Sequence, residues 1–171
     1  MITRSHRRPT VVRETALGAV TLSASPRGLT RVRFGPRPGA TPVAGTVEHR
    51  LLDQAARELD EYLAGRRTGF DVPVDLSAVE PEHRRVLDAL HRVPYGGTCS
   101  YAELARAAGL TEDGPRRAGA ACARNPVLVV VPCHRVVAAS GALTGYAGGL
   151  AAKRALLALE RGQFMLDAAG W

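Results

Sequence analysis

The stretch Val127–Val137, with the sequence VLVVVPCHRVV, carries the strongest structural signal in the chain. Five consecutive apolar residues, four of them β-branched, predict a strand over Val127–Val131 that is buried on both faces. Pro132 has no backbone N–H to offer a sheet ladder, so we expect the strand to end there. Cys133 then lies at the edge of a core, with His134 beside it.

The pair Cys133 and His134 is a candidate for nucleophilic chemistry. A nearby base or positive charge raises the thiolate fraction of a cysteine, and His134 and Arg135 are placed to supply both. Neighbours on a regular strand point to opposite faces, so the two side chains can cooperate only if the chain turns there. A buried structural cysteine beside an unrelated histidine is the alternative that this pair alone leaves open.

Composition limits the class of protein. The 171 residues, 46% of them hydrophobic, suffice for one domain or two small ones. The formal charge of +7 suggests an anionic partner such as nucleic acid, although Lys153 is the only lysine and the bias towards arginine has compositional explanations too. Cys99, Cys122 and Cys133 form no CxxC pair, which supports neither a disulfide framework nor a metal site. With no signal-peptide core and no membrane span in the sequence, we expect a reduced, cytoplasmic protein.

The first part of the chain has the pattern of a small sheet followed by a helix. Loose alternation over Val11–Phe34 predicts a meander of strands, and residues 35–45 are rich in Gly and Pro, which is typical of a loop. Apolar residues at helical spacing predict a helix over His49–Ala64, ended by Gly65. One more strand is expected over Phe70–Leu76. We expect this part to be structural.

The second part is predicted to be mostly helical. Ser100 and Glu103 have the spacing of a capping box, and Pro115 suits the first turn of a helix. Two short helices around the turn at Gly109 make a helix-turn-helix candidate. The predicted helices are Pro81–Val93, Tyr101–Ala108, Arg116–Arg124 and Ala151–Arg161.

The second helix of this candidate is unusual for a reader of the major groove. Its sequence RRAGAACAR, from Arg116 to Arg124, has basic residues at the ends and small residues between them. It has almost no side chains that form bidentate contacts with base edges, whereas small residues permit a close approach to the minor groove. The pattern therefore favours binding without sequence preference. Packing of the alanines against neighbouring helices is the alternative.

Several separated motifs agree in order and spacing with one family. PCHRVV over Pro132–Val137, the preceding Asn125-Pro126, the loop SGALTGYAGGL over Ser140–Leu150, Lys153 and Glu160 together resemble the active-site segment of the O6-alkylguanine-DNA alkyltransferases, also called methylated-DNA–protein-cysteine methyltransferases. The resemblance runs from about Pro81 to Glu160.

The resemblance implies an α/β (α+β) fold. A small N-terminal sheet-plus-helix domain, residues 1–78, would precede a mostly helical C-terminal domain, residues 79–171, with a helix-turn-helix and the active-site cysteine loop. The implied activity is direct repair of DNA. An alkyl group moves irreversibly from O6 of guanine, and more weakly from O4 of thymine, to Cys133. No cofactor is implied.

The family's site residues carry over by position. Cys133 matches the alkyl acceptor, and Asn125, His134 and Glu160 match its supporting network, in which His134 acts through a bridging water. Ala147 departs from the serine that relatives often have, so that a hydroxyl contribution is lost. The substrate-binding positions are Tyr101, Val136, Tyr146, Ala147, Gly148 and Lys153, and a helix-start role for Lys153 is equally open.

The resemblance also implies the DNA contacts. Arg116 matches an intercalating arginine that fills the stack when a nucleotide is flipped out. The expected DNA-binding residues are Arg116, Arg117, Ala121, Arg124 and Tyr101. The expected partner is duplex DNA containing O6-alkylguanine, bound through the minor groove by a monomer, with cooperativity left open.

Three other functions compete with this interpretation. A non-catalytic damage sensor shares the fold but typically lacks the acceptor cysteine. A Cys-His hydrolase would use Cys133 but would also need an oxyanion hole. A helix-turn-helix regulator would need base-reading side chains, which the second helix lacks.

Overall fold

The computed structural model describes residues 8–162. Residues 1–7 and 163–171, which include the outer ends of both predicted domains, lie outside the described residues. The described chain has an N-terminal antiparallel sheet and a helical C-terminal region, as the sequence predicts.

The N-terminal sheet is the predicted meander. Strands β1 (Thr10–Thr15), β2 (Gly18–Ser25) and β3 (Gly28–Phe34) pair antiparallel in the order β1-β2-β3. Val11, Leu22 and Val32 lie side by side across the sheet, and Leu22 and Val32 are buried in the core. This face therefore packs inward, because alternate residues of a strand share one face.

Helix α1 (Val47–Leu63) covers the apolar face of the sheet. The Thr46 hydroxyl accepts a hydrogen bond from the His49 N–H at 3.2 Å, which satisfies one of the free donors at the helix start. Ala64 caps the other end, and Gly65 follows at φ 70°, a left-handed conformation that suits glycine. The sequence-predicted helix is thus confirmed within two residues at each end.

The strand predicted over Phe70–Leu76 does not form. This segment is extended, and it makes only an isolated bridge between Val74 and Leu29. The buried carboxylate of Glu58 on α1 accepts hydrogen bonds from the N–H groups of Asp71 and Val72, at 2.9 and 3.1 Å. The prediction was wrong because those donors serve a side chain and are not left for a strand partner.

The C-terminal region follows the predicted order of helices. Each helix matches its predicted range within three residues at either end. Helix α2 contacts both α3 and α4. The elements are α2 (Pro81–Leu90), β4 (Cys99–Ser100), α3 (Tyr101–Ala107), α4 (Gly114–Ala123), a 3-10 turn (Cys133–Arg135), β5 (Val136–Val137) and α5 (Leu150–Glu160).

Helices α3 and α4 form the helix-turn-helix. The predicted capping box is present, since Ser100 and Glu103 exchange backbone and side-chain hydrogen bonds. Gly109 adopts φ 70° after α3, and Pro115 lies in the first turn of α4. A Cβ on Gly114 would lie 3.0 Å from the Ala105 side chain, so the two helices are closely packed where α4 begins.

The buried run Val127–Val131 is not a strand, contrary to the sequence prediction. It makes isolated bridges and then turns, with Val129 at φ 70°. This conformation is strained for a β-branched residue. The surroundings impose it, because the Asn125 side chain binds the backbone at both ends of the run, Val127 N–H at 3.0 Å and Val131 C=O at 2.8 Å.

Within residues 8–162, no helix is long and apolar enough to cross a bilayer. The same described range contains no cluster of three or more His, Cys, Asp or Glu side chains arranged to hold a metal ion.

Candidate active site

Cys133 opens the 3-10 turn Cys133–Arg135, and its side chain is buried. The Nδ2 of Asn125 donates to its Sγ at 3.1 Å. Because the same amide also binds Val127 and Val131, its direction is fixed. The turn predicted as the condition for cooperation between Cys133 and His134 is therefore present, and the thiol is held by an oriented donor.

The resting thiol of Cys133 is protonated at neutral pH. Burial raises its pKa to about 11, although the hydrogen bond from Asn125 and the positive charges of Lys153 and Arg33 oppose this rise. A thiolate is the competent nucleophile, so the site needs a base that removes the proton when substrate is bound.

His134 and Glu160 form the core of a buried polar network. The His134 Nε2 lies 2.5 Å from Glu160 Oε1, and both side chains are fully buried. The Tyr62 hydroxyl donates to the same oxygen. The other oxygen accepts from Arg135 Nε and from the Gly96 N–H, each at 2.9 Å. The resemblance implies that Glu160 supports His134, and the two side chains are in contact in the structure.

The network determines which His134 nitrogen is free. Burial opposes the ionisation of Glu160, but hydrogen bonds from His134, Arg135 and Tyr62 together outweigh it and lower the pKa to about 2. Burial lowers the pKa of His134, so the imidazole is neutral at neutral pH. A carboxylate can only accept a hydrogen bond. The His134 Nε2 that faces Glu160 therefore carries the proton, and the His134 Nδ1 keeps its lone pair. Nδ1 is buried without a partner among residues 8–162, which suits a base.

Arg135 acts elsewhere than expected. Its position next to the Cys-His pair suggested a positive charge acting on the thiol, whereas its guanidinium pairs with Glu160 and donates to the Val93 carbonyl at 2.7 Å. It also lies 5.8 Å from the centre of the Tyr95 ring. Arg135 thus neutralises Glu160 and allows His134 to remain uncharged.

A cavity of about 260 Å³ opens onto the thiol. It contains three of the expected substrate-binding residues, Tyr101, Tyr146 and Ala147. A larger cavity, of about 380 Å³, lies in the N-terminal part of the chain and does not include Cys133. The smaller one is lined by Tyr101, Gly119, Cys122, Ala123, Cys133, Gly145, Tyr146 and Ala147.

The other expected substrate-binding residues do not line this cavity. Val136 is buried in β5 and pairs with Cys99, and its N–H already binds the Cys133 carbonyl. Gly148 is required by packing, because a Cβ there would lie 2.5 Å from the Phe34 ring and 2.6 Å from Tyr146. The absence of a side chain at Gly148 thus allows the Ser140–Leu150 loop to pack closely against the rings of Phe34 and Tyr146.

Lys153 anchors the Ser140–Leu150 loop through a hydrogen bond. Its side chain is buried and donates to the carbonyl of Thr144 at 2.8 Å, and Thr144 lies 3.2 Å from the Tyr101 hydroxyl. The contacts place Lys153 as an anchor of the cavity wall, a different role from the helix-start alternative.

The expected DNA-binding residues divide into two groups. Arg116 has 86% of its side chain exposed and one ion pair, with Asp113 at 3.3 Å; Arg124 is also exposed. Arg117 instead makes a two-pronged ion pair with Glu82 on α2. Ala121 is buried against α2, and its carbonyl lies 2.9 Å from His83 Nε2. Ala121 therefore has little free surface in this structure, and its contact with DNA stays a prediction.

Sequence reasoning missed several residues of the site. Tyr62 and Gly96 bind Glu160 across separations of 98 and 64 residues, and no local pattern indicates such contacts. Thr144 carried no signal beyond its place in the glycine-rich loop. Gly119 and Cys122 lie three residues apart on the predicted helix and so on one side of it, but only the fold shows that this side faces the cavity.

A helix-turn-helix packed beside a buried, network-supported thiol defines a DNA-binding protein with a cysteine nucleophile. Two family models match the chain. The model described as 6-O-methylguanine DNA methyltransferase, ribonuclease-like domain, matches residues 11–76. The model for the DNA binding domain of the same methyltransferase matches residues 81–162.

Comparisons with individual proteins agree with the two family models. The chain is 42% identical over 149 residues to the methylated-DNA–protein-cysteine methyltransferase of Mycolicibacterium paratuberculosis, which covers 86% of this chain and 89% of the relative. Its identity to that of Methanosarcina acetivorans is 38%, covering 86% and 94%. The solved structure of Mycobacterium tuberculosis OGT in complex with DNA superposes with a TM-score of 0.77 at 39% identity, covering 89% of this chain and 92% of that chain. The chain belongs to the 6-O-methylguanine DNA methyltransferase family.

Proposed function

We propose that this protein repairs DNA by moving an alkyl group from O6 of guanine onto Cys133, in a single irreversible reaction. The observation that carries the proposal is the arrangement of Cys133, which opens onto a cavity, accepts a hydrogen bond from Asn125 and adjoins the His134–Glu160 pair. A separate N-terminal structural domain, residues 1–78, and a DNA-binding and acceptor domain, residues 79–171, are part of the same proposal.

The reaction begins with removal of the thiol proton. The neutral Nδ1 of His134 takes it, through a bridging water, and the Glu160 carboxylate stabilises the imidazolium that forms. The thiolate then attacks the sp³ carbon in line. The S–C bond forms, the C–O6 bond breaks, and the electron pair passes to the guanine, which gains the proton at N1. The products are an S-alkylcysteine and unmodified guanine.

The product explains why we expect one turnover. A thioether is not reversed by the thiol exchange that reverses disulfides. Each protein molecule is therefore consumed by one lesion. Since only the reduced thiol can act, we expect the protein to work in a reducing compartment such as the cytoplasm.

Access to O6 requires that the nucleotide leave the helix. The reacting group lies inside the duplex, and unstacking costs a few kcal/mol. We expect the small residues along α4 to approach the minor groove, with the exposed Arg116 filling the gap in the stack. O4-alkylthymine, which presents a similar group, should react more weakly.

A hydrolase is a poorer match to the site. Cysteine hydrolases stabilise a tetrahedral oxyanion with backbone N–H donors close to the nucleophile. The N–H of Cys133 is already bound to the Val131 carbonyl at 2.9 Å. Alkyl transfer at an sp³ carbon forms no oxyanion of this kind and does not need that donor.

Mass spectrometry tests the proposal. The protein is mixed with duplex DNA that carries one O6-methylguanine, and intact mass and peptide masses are measured, with Cys133→Ala as control. We expect one added methyl, on the Cys133 peptide, saturating at one per protein. An unmodified protein that still binds the lesion would overturn the proposal in favour of a damage sensor.

A further inference from the structure

A cavity of about 380 Å³ lies away from Cys133 in the N-terminal part of the described chain. Its floor includes Thr10, Thr21 and Ser23, which point away from the apolar face of the sheet that carries Leu22. Residues 37–39 and 75–79 form part of its walls. We call this cavity the arginine pocket, because Arg8, Arg31 and Arg37 line it.

Within residues 8–162, the positive charges of the arginine pocket have no counter-ion. The side chains of Arg8, Arg31 and Arg37 make no ion pair or hydrogen bond with any side chain or backbone group of residues 8–162. Asp75 is the one carboxylate among the lining residues within the described chain, and it already accepts hydrogen bonds from Ser25 and Arg27.

The crowded positive charges affect the pKa of a neighbouring residue, Arg33. Arg33 lies opposite Thr21 in the sheet, on the same face as the pocket. Partial burial lowers the pKa of Arg33, and the positive charges of Arg31 and Arg37 lower it further. Like charges held together without a partner favour the binding of an anion, which relieves their repulsion.

The shape of the donors indicates the class of anion. Guanidinium groups present planar pairs of N–H donors that match the oxygens of a phosphate. The hydroxyls on the floor bind the protein itself: Thr10 donates to the Arg8 carbonyl and Thr21 to the Gly35 carbonyl. The three guanidinium groups are therefore the principal donors to a ligand.

The position of the pocket indicates the source of the phosphate. Pro126 lines it, two residues after the exposed Arg124 at the end of α4. Two residues span at most about 7 Å, so one wall of the pocket lies close to the end of the face proposed to bind DNA. We propose that the arginine pocket binds a phosphodiester group of the DNA backbone outside the lesion-binding cavity, which extends the DNA contact onto the N-terminal part.

This inference rests on the proposed function, and salt dependence tests it separately. Binding of unmodified duplex DNA is measured by fluorescence anisotropy over a range of salt concentrations. Each phosphate contact contributes about 0.9 to the slope of log K against log salt concentration. For Arg31→Ala/Arg37→Ala we expect a slope shallower by about 1 to 2 and an affinity about tenfold lower at low salt.

The matched control is Arg57→Ala. Arg57 is an exposed arginine on α1, which packs on the opposite face of the sheet, and it makes no ion pair with residues 8–162. We expect Arg57→Ala to keep the wild-type slope. Equal slopes for the wild type and the double variant would overturn the inference, and so would equal losses in the double variant and the control.

Two further measurements separate the remaining outcomes. Titration with inorganic phosphate distinguishes a free-phosphate site: if phosphate binds and Arg31→Ala/Arg37→Ala abolishes this while the DNA slope is unchanged, the DNA assignment is wrong. Reaction with free O6-benzylguanine needs no phosphate contact, so the double variant should react at the wild-type rate. A wild type that never acquires an alkyl group would contradict the proposed function, whatever the slope.

Discussion

The network around Glu160 and the exposed face of α4 hold their charges in opposite ways. Glu160 has no exposed side-chain surface, and both of its oxygens are saturated by fixed donors. Arg116 has most of its side chain exposed and a single ion pair at the surface. Surface pairs of this kind contribute little to stability, whereas buried charges depend strongly on every partner.

The difference fits the two proposed tasks, thiol activation and contact with DNA. Activation of a thiol requires a base whose tautomer and direction are fixed, which burial and saturation of Glu160 provide. Contact with DNA requires charges that are free to leave water for phosphates or for a gap in the base stack. The predictions below test whether chemistry and binding separate in this way.

The largest effect is expected at the acceptor. Cys133→Ala should abolish alkyl transfer, because no other thiol has the Asn125 donor, and should leave binding to lesion-containing duplex within about twofold of the wild type. Cys122 lines the same cavity, but burial raises the pKa of its thiol well above the ordinary value. Cys122→Ala should therefore still accept one methyl per protein, as measured by mass spectrometry. Transfer that persists in Cys133→Ala would refute the assignment.

Loss of Glu160 should reduce both stability and transfer. Glu160→Ala leaves Arg135 buried without its partner, which typically costs about 3–5 kcal/mol in the free energy of unfolding. Because that variant can fail to fold, Tyr62→Phe serves as the milder test: it removes one hydrogen bond to Glu160 and should cost about 1–3 kcal/mol. Urea denaturation measures both, and Glu112→Ala, at an exposed glutamate, is the control. A Tyr62→Phe variant as stable as the wild type would contradict a tightly coupled network.

Acid should weaken the buried network selectively. The pKa of Glu160 in the folded protein, about 2, lies below its ordinary value of 4.5. Its contribution to stability is therefore fully present above about pH 4.5 and is lost as the pH falls towards 2, amounting to about 3 kcal/mol. The pKa of His134 is also lowered in the folded protein, from an ordinary value of 6.5. Stability should therefore also fall as the pH decreases below 6.5.

Denaturation between pH 7 and pH 3 measures this loss. Tyr62→Phe removes one of the bonds that lower the pKa of Glu160, so its stability should depend less steeply on pH than that of the wild type. An equal or steeper dependence in the variant would show that other carboxylates dominate.

The smallest of these effects is expected on the exposed face of α4. Arg116→Ala should slow repair of O6-methylguanine in duplex DNA by about tenfold, because part of the unstacking energy is no longer offset. Reaction with free O6-benzylguanine should be unchanged. Equal losses on both substrates would place Arg116 within the chemistry and remove the contrast between the two regions.

Local sequence determined much of this protein. The capping box of Ser100 and Glu103, the stop at Gly65 and the first-turn Pro115 act over a few residues, and the helices they bound are present. The Cys133-His134 motif with Asn125 at a fixed spacing pointed to the candidate site, because these groups lie within one turn and one loop.

Tertiary structure alone decided the rest. The runs Val127–Val131 and Phe70–Leu76 have strand composition, but the side chains of Asn125 and Glu58 bind their backbone groups and prevent a ladder. Glu160 became a buried acceptor only when Tyr62, Gly96 and Arg135 closed around it. Secondary-structure propensity depends on neighbouring residues. The partners of a buried polar group, by contrast, come from distant segments that only folding brings together.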